Sequence, residues 1–222
     1  FHPLPLPVEK PFRMPVQDVY KFTRDGDSRR IIAGTVESGR IEAGDTVIFY
    51  PSGKKSAIQT FESFNEPRIA SISAGMAVGF TLQEQIYVKR GEVAVRANEP
   101  APRVASRLDV TLFWLGRSPL IRGKSYILKF GTAKIPVQVE EIKRVLNAAS
   151  LEAKPKDMVE RHEVAECVLK ADVPLAIDCF TEVSETSRFV IVDNYEISGG
   201  GRVVQALTDP KSAVRESVIR RN

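Results

Sequence analysis

Ser28-Arg-Arg-Ile-Ile-Ala-Gly34-Thr-Val-Glu-Ser-Gly39-Arg-Ile-Glu-Ala-Gly44-Asp-Thr-Val-Ile-Phe-Tyr-Pro-Ser-Gly53 sets glycines at short intervals between brief apolar runs. Gly34, Gly39 and Gly44 are expected where the backbone turns sharply or passes close to a neighbouring strand, because a Cβ there costs more than a hydrogen does. Between them Ile31, Ile32, Val36, Val47, Ile48 and Phe49 supply enough β-branched and aromatic surface for one face of a sheet. Short strands tied by tight glycine turns predict a small closed β-barrel.

Outward from this stretch the same rhythm continues. Ala74-Gly75, Arg90-Gly91, Arg122-Gly123, Phe130-Gly131 and Asp193-Asn194 punctuate apolar runs such as Val78–Leu82, Tyr126–Phe130 and Phe189–Val192. Leu108, Val110 and Leu112 alternate with Asp109 and Thr111, and Ile135, Val137 and Val139 alternate with polar neighbours, the period of half-buried strands. The chain is therefore expected to be all-β. Pro100-Ala-Pro102 removes two backbone donors that a central strand needs, so residues 99–103 read as a stiff linker between two antiparallel barrels. Residues 147–163 are polar and carry Pro155, which predicts a surface loop with a turn or two of helix. Asp209 as a cap and Pro210 at the first helical position predict one short helix near the end.

Composition narrows the functional classes. The 222 residues are 43% hydrophobic and 27% charged, which is ordinary for a globular protein and allows two domains. Net charge is +4, spread along the chain rather than gathered in one run, which by itself does not argue for nucleic acid. No apolar run approaches the ~20 residues needed to cross a bilayer, and residues 1–7 do not have the pattern of a secretory signal. A cytoplasmic location is expected. Cys167 and Cys179 sit among apolar residues and read as buried free thiols. His2 and His162 have no second His or Cys at ligand spacing, and His162, between Glu160, Arg161 and Glu163, reads as a solvated loop residue. Glu140 and Glu141, adjacent on a strand, are expected on opposite faces and do not form an acid–base pair.

Several segments carry a resemblance. Arg13-Met-Pro-Val-Gln-Asp-Val-Tyr20, Pro51-Ser-Gly-Lys-Lys55, Lys129-Phe-Gly-Thr132, and Arg188-Phe-Val-Ile-Val-Asp-Asn194 followed by Gly199-Gly-Gly201 are similar to the barrel domains of translation-factor-type GTPases. Among these they most resemble the large, GTP-binding subunit of sulfate adenylyltransferase. The resemblance implies an N-terminal linker over 1–11 and a domain 2-like barrel over 12–98. It further implies the linker at 99–103, an elongation-factor C-terminal-like barrel over 104–208, and a tail or connector over 209–222.

No Gly-x-x-x-x-Gly-Lys-Ser/Thr string occurs, so the phosphate cradle and magnesium hydroxyl of a GTPase are expected in a preceding domain, with GTP and magnesium bound there and no cofactor or metal here. Pro51–Lys55 is expected as a strand-to-strand turn, and Ser198-Gly-Gly-Gly-Arg202 as a hairpin leading into Val203 and Val204 rather than an anion nest. The resemblance implies no catalytic residue in this chain. Its role would be to couple the chain's own GTPase domain to a small catalytic subunit that makes adenylylsulfate from ATP and sulfate, and the basic tail from Val214 could lead to an adenylylsulfate kinase domain. Candidate partner-facing anchors, by residue type, are Arg29, Arg30, Trp114 and Arg122, with core packing for the tryptophan and solvation for the arginines as the competing account. The alternative within the superfamily is a pair of barrels holding aminoacyl-tRNA.

Overall fold

The computed structural model describes residues 5–22, 29–62, 69–147, 153–154 and 157–208, which divide into two compact units. The first lies within Phe1–Pro102 with Gly131–Ala133, and the second within Arg103–Phe130 and Lys134–Asn222. The described residues form strands and turns and no helix. Asp209, Pro210 and the tail, where a short helix was expected, lie outside the described residues.

The first unit carries β1 (Met14–Lys21), β2 (Arg30–Thr35), β3 (Arg40–Glu42), β4 (Thr46–Tyr50), β5 (Lys54–Glu62), β6 (Ser71–Ser73), β7 (Ala77–Leu82) and β8 (Val93–Arg96). Six of these close an antiparallel barrel in the order β1-β2-β7-β5-β4-β8, the last joining the first through Met14↔Ala94 and Pro15↔Val93. Closure leaves no open sheet edge in the barrel. β3 and β6 pair beside it, with Ile41 opposite Ile72 and both buried. Inside, Phe12, Met14, Val16, Val47, Phe49, Ile58 and Phe80 are fully buried, and the rings of Phe49 and Phe80 lie 6.5 Å apart.

The glycine stretch supplies tight turns and a close approach in this barrel. Gly39 has φ +74°, and a Cβ on it would stand 2.5 Å from the Cα of Phe12. Only glycine lets the turn after β2 come this near the entering chain. Pro51–Gly53 forms the turn between β4 and β5, with the Gly53 amide donating to the Phe49 carbonyl at 2.7 Å. Arg13, only 1% exposed, donates through its guanidinium to the carbonyls of Phe12 (3.0 Å) and Pro100 (2.8 Å). The segment leaving β8 is thereby tied to the segment that enters β1.

The second unit carries β9 (Arg103–Trp114), β10 (Leu120–Ile121), β11 (Ser125–Phe130), β12 (Ala133–Asn147), β13 (Ala153–Lys154), β14 (Met158–Val159), β15 (Glu163–Ile177), β16 (Arg188–Asp193) and β17 (Glu196–Leu207). The order β11-β16-β17-β9-β15-β12 closes a second six-stranded barrel where β12 returns to β11, and β13 extends the β12 side. Leu108, Val110 and Leu112 alternate into the core as expected, and Val137 and Val139 are fully buried, while Ile135 is half-buried. The fold is two consecutive antiparallel barrels.

Three local expectations need correction. Ser198–Arg202 is not a hairpin: it lies inside β17, where Gly199, Gly200 and Gly201 pair with Trp114, Phe113 and Leu112 of β9. Gly199 is there because the strand crosses the Trp114 indole, and Gly201 because it presses on the backbone of β9, not because the chain turns. Among the described residues of 147–163 there is strand as well as turn: Met158 and Val159 pair with Ile121 and Leu120, since burying Leu120 and Val159 together outweighs the polarity of the surrounding sequence. Finally, a bulge between Val139 and Glu141 breaks simple alternation, leaving Glu140 half-buried and Glu141 exposed, with neither in the interior.

Candidate functional site

A concave basic surface lies on the first barrel. It begins with sequence register. β1 and β2 run antiparallel so that Lys21 stands opposite Arg30, Tyr20 opposite Ile31 and Val19 opposite Ile32. Like charges set directly across a strand pair repel, so this pairing works against the local stability of the ribbon. Facing this ribbon is the irregular segment after β7, where Ile86, Tyr87, Val88, Lys89 and Arg90 run without strand pairing.

Between the two runs a groove forms in two connected parts that share Val19, Arg30 and Ile86. The larger part has a volume of about 240 Å3, with Lys21, Arg30, Lys89 and Arg90 around it and Val19, Ile86 and Val88 lining it. The smaller, about 60 Å3, continues beneath Arg29 toward Ile32 and Leu82. Asp18 is the one carboxylate lining either part, and its Oδ1 accepts the Val19 amide at 2.8 Å. Among the described residues Lys21 and Arg30 form no ion pair or hydrogen bond through their side chains. Tyr87, 56% exposed, stands at the rim with the Lys54 and Lys89 ammonium groups 5.2 Å and 5.6 Å from its ring centroid. Lys54 also donates to the Tyr87 carbonyl at 2.6 Å, which fixes that side of the groove.

The four residues singled out by type separate in space. Arg29 and Arg30 come together at the groove. Arg29 is exposed, pairs with Glu62 at 3.2 Å and lies 5.7 Å from the Phe22 ring centroid, so it is held by the barrel on one side of the depression. Trp114 is fully buried in the second barrel and therefore presents nothing to a partner. Its indole N–H donates to the Ser118 carbonyl at 2.8 Å, and its ring meets Tyr126 edge-on at 5.8 Å. Arg122 is exposed on the second barrel, with Nε donating to the Glu140 carbonyl at 2.9 Å. Sequence reasoning missed Lys21, Tyr87 and Lys89. The run Ile86-Tyr-Val-Lys-Arg90 carried a signal, an aromatic next to consecutive cations in a stretch without turn residues.

Several titratable groups lie in the second barrel. Arg107 grips Glu140 with two hydrogen bonds, Nε to Oε2 at 2.8 Å and Nη2 to Oε1 at 2.9 Å, and this holds the Glu140 carboxyl below its ordinary range. Cys167 and Cys179 are buried and unbridged, and burial pushes the Cys167 thiol up to about 12. His162 is exposed, as expected of a loop, and its ring stacks on Phe113 at 6.5 Å. None of these groups faces another in the geometry of a nucleophile and its base. What the groove can do is hold negative charge.

Similarity to other proteins places this architecture. Residues 107–204 match the family described as GTP-eEF1A C-terminal domain-like. The second barrel is thus similar to that domain family, and the chain as a whole has two consecutive barrels. Sulfate adenylyltransferase subunit 1 of Laribacter hongkongensis is 30% identical over 204 residues, covering 92% of this chain and 42% of that protein. The bifunctional enzyme NodQ of Rhizobium sp. strain N33 is 32% identical, covering 90% of this chain and 30% of the relative. The chain thus spans 42% and 30% of the length of these two curated relatives. In three dimensions it superposes on sup35 complexed with GDP with a TM-score of 0.80, 21% identity, and coverage of 90% of this chain and 48% of the other. That last likeness is one of fold.

Proposed function

We propose that these barrels form the non-catalytic body of the GTP-binding subunit of a sulfate adenylyltransferase, acting in the cytoplasm. In this reading they couple a GTPase domain, which binds GTP and magnesium, to a small subunit that joins ATP and sulfate. The observation that carries the reading is the 30% identity with sulfate adenylyltransferase subunit 1, which extends over both barrels rather than over the family-matched second barrel alone. The physics agrees with a mechanical role. A closed, densely packed barrel deforms little, so displacement applied at one face is passed on as rigid motion. The described residues offer cores, charge pairs and a basic groove, which are means of contact.

The test is co-purification of the chain with the small subunit of sulfate adenylyltransferase and, in parallel, with aminoacyl-tRNA. Retention of the small subunit is the expected result. Retention of tRNA with no protein partner, weakening steeply as salt rises, would transfer the chain to the translation branch.

A further inference from the structure

We propose that the groove between β1, β2 and the Ile86–Arg90 segment is a docking site for an extended acidic segment of a protein partner. Three observations converge on it. The first is electrostatic. Lys21 and Arg30 oppose each other in register, with Lys89 and Arg90 on the facing rim. Four cations surround a depression lined by one carboxylate, Asp18, and that carboxylate is already engaged by the Val19 amide. A barrel under no demand at this position relieves the Lys21–Arg30 repulsion by any neutral or acidic residue. Keeping both charges is the kind of local conflict that marks a functional surface.

The second observation is the apolar lining. Val19 and Ile86, each half-buried, lie between the cations, while Val88, Ile32 and Leu82 beneath them belong to the barrel core. An inorganic anion gains nothing from such a surface. A peptide in which apolar side chains are interspersed with carboxylates satisfies lining and rim together. The third is the backbone of the rim. Among the described residues the amide of the exposed Tyr87 donates no hydrogen bond, and it belongs to an unpaired run. Such an amide can donate to a carbonyl of an extended segment, as in other strand-binding sites.

Peptide is favoured over nucleic acid by the state of Tyr87. The exposed ring at the rim already carries two ammonium groups over it, from Lys54 and Lys89. Stacking on a free aromatic face is what single-stranded nucleic acid requires of such a site.

The experiment uses the whole chain and a fluorescein-labelled peptide, Glu-Glu-Leu-Glu-Glu-Leu-Glu, with binding followed by anisotropy. Arg30→Glu and Lys89→Glu are compared with Lys129→Glu, an exposed position on the second barrel that makes the same change in net charge. Circular dichroism melts establish that each variant folds. Charge reversal at the groove is expected to weaken the peptide by ~10-fold or more, with Lys129→Glu within ~2-fold of the parent, as local charge complementarity requires. Failure of the parent chain to bind the peptide, equal weakening by Lys129→Glu, or displacement of the peptide by an equimolar oligothymidylate would each overturn the proposal. Because the probe is neither a sulfate adenylyltransferase subunit nor tRNA, the result is independent of the pathway assigned above.

Discussion

Gly199 lies flat against Trp114: a Cβ built on it would stand 2.7 Å from Cε3 of the indole and 3.0 Å from the Phe113 carbonyl oxygen. On another side a Cβ on Gly116 would stand 2.7 Å from Cζ2 of the same ring. The tryptophan is thus housed between two residues that have no side chain. Two residues farther along the same strand, Gly201 would drive a Cβ to 2.2 Å from the Thr111 carbonyl, whereas a Cβ on Gly200 meets nothing nearer than 3.4 Å.

These spacings rank three neighbouring substitutions. Gly201→Ala strikes rigid backbone and is expected to destabilise the second barrel by ~3 kcal/mol, with Gly199→Ala at ~2 kcal/mol as the indole and strand shift. Gly200→Ala is expected to change stability by less than ~1 kcal/mol. Urea unfolding of the three variants measures the order, and equal losses at 200 and 201 would contradict the packing described.

Arg13 offers a test of the first barrel. Replacing it by Met leaves the Phe12 and Pro100 carbonyls without that donor inside a buried site, an expected loss of ~3 kcal/mol. Arg13→Lys is expected to recover only part of it, because one ammonium on a flexible stem does not reproduce the planar guanidinium fork. Full recovery by lysine in thermal melts would show that charge alone is what the site needs.

The cysteines should be silent in the native protein. Cys167 is fully buried, and with its thiol pushed up to about 12 almost none is thiolate at neutral pH. Reaction with a chromogenic disulfide reagent is expected to be negligible without denaturant and to report two thiols in its presence. Rapid native reaction at Cys167 would contradict the closed barrel around it.

The Arg107–Glu140 pair fixes a direction for acid sensitivity. Hydrogen bonding from Arg107 lowers the Glu140 value below its ordinary 4.5, and partial burial opposes this less strongly. A carboxyl whose folded value lies below its unfolded value adds stability that is full above the unfolded value and is lost as pH falls through the folded one. Arg107→Gln is therefore expected to reduce the loss of stability between pH ~5 and ~3 while lowering stability at neutral pH. Parallel urea titrations of parent and variant across that range measure it, and identical pH slopes would dismiss the pair as a contributor.

Legibility of the chain followed locality. The alternation of Leu108, Val110 and Leu112 was plain because each strand residue faces its own side regardless of partner. The two free thiols were plain for a similar reason, their immediate neighbours being apolar. The strand setting of the β17 glycines is not legible locally, because the Trp114 indole that Gly199 packs on is 85 positions away in sequence. Likewise Met158 and Val159 became strand only by pairing with Leu120 and Ile121. Of the site, Arg29 and Arg30 were noticed by residue type, but Lys89 and Tyr87 joined them only through closure of the barrel.

The sequence by itself determined the all-β class, the absence of a phosphate-binding loop and the apolar stripe of most strands, since these depend on residue type and a period of two. The tertiary structure alone decided which strands meet, where Lys21 confronts Arg30, and that Trp114 serves the core and not a surface. Register and closure arise from contacts among residues distant in the chain, and the free energy that selects them belongs to the assembled barrel rather than to any segment of it.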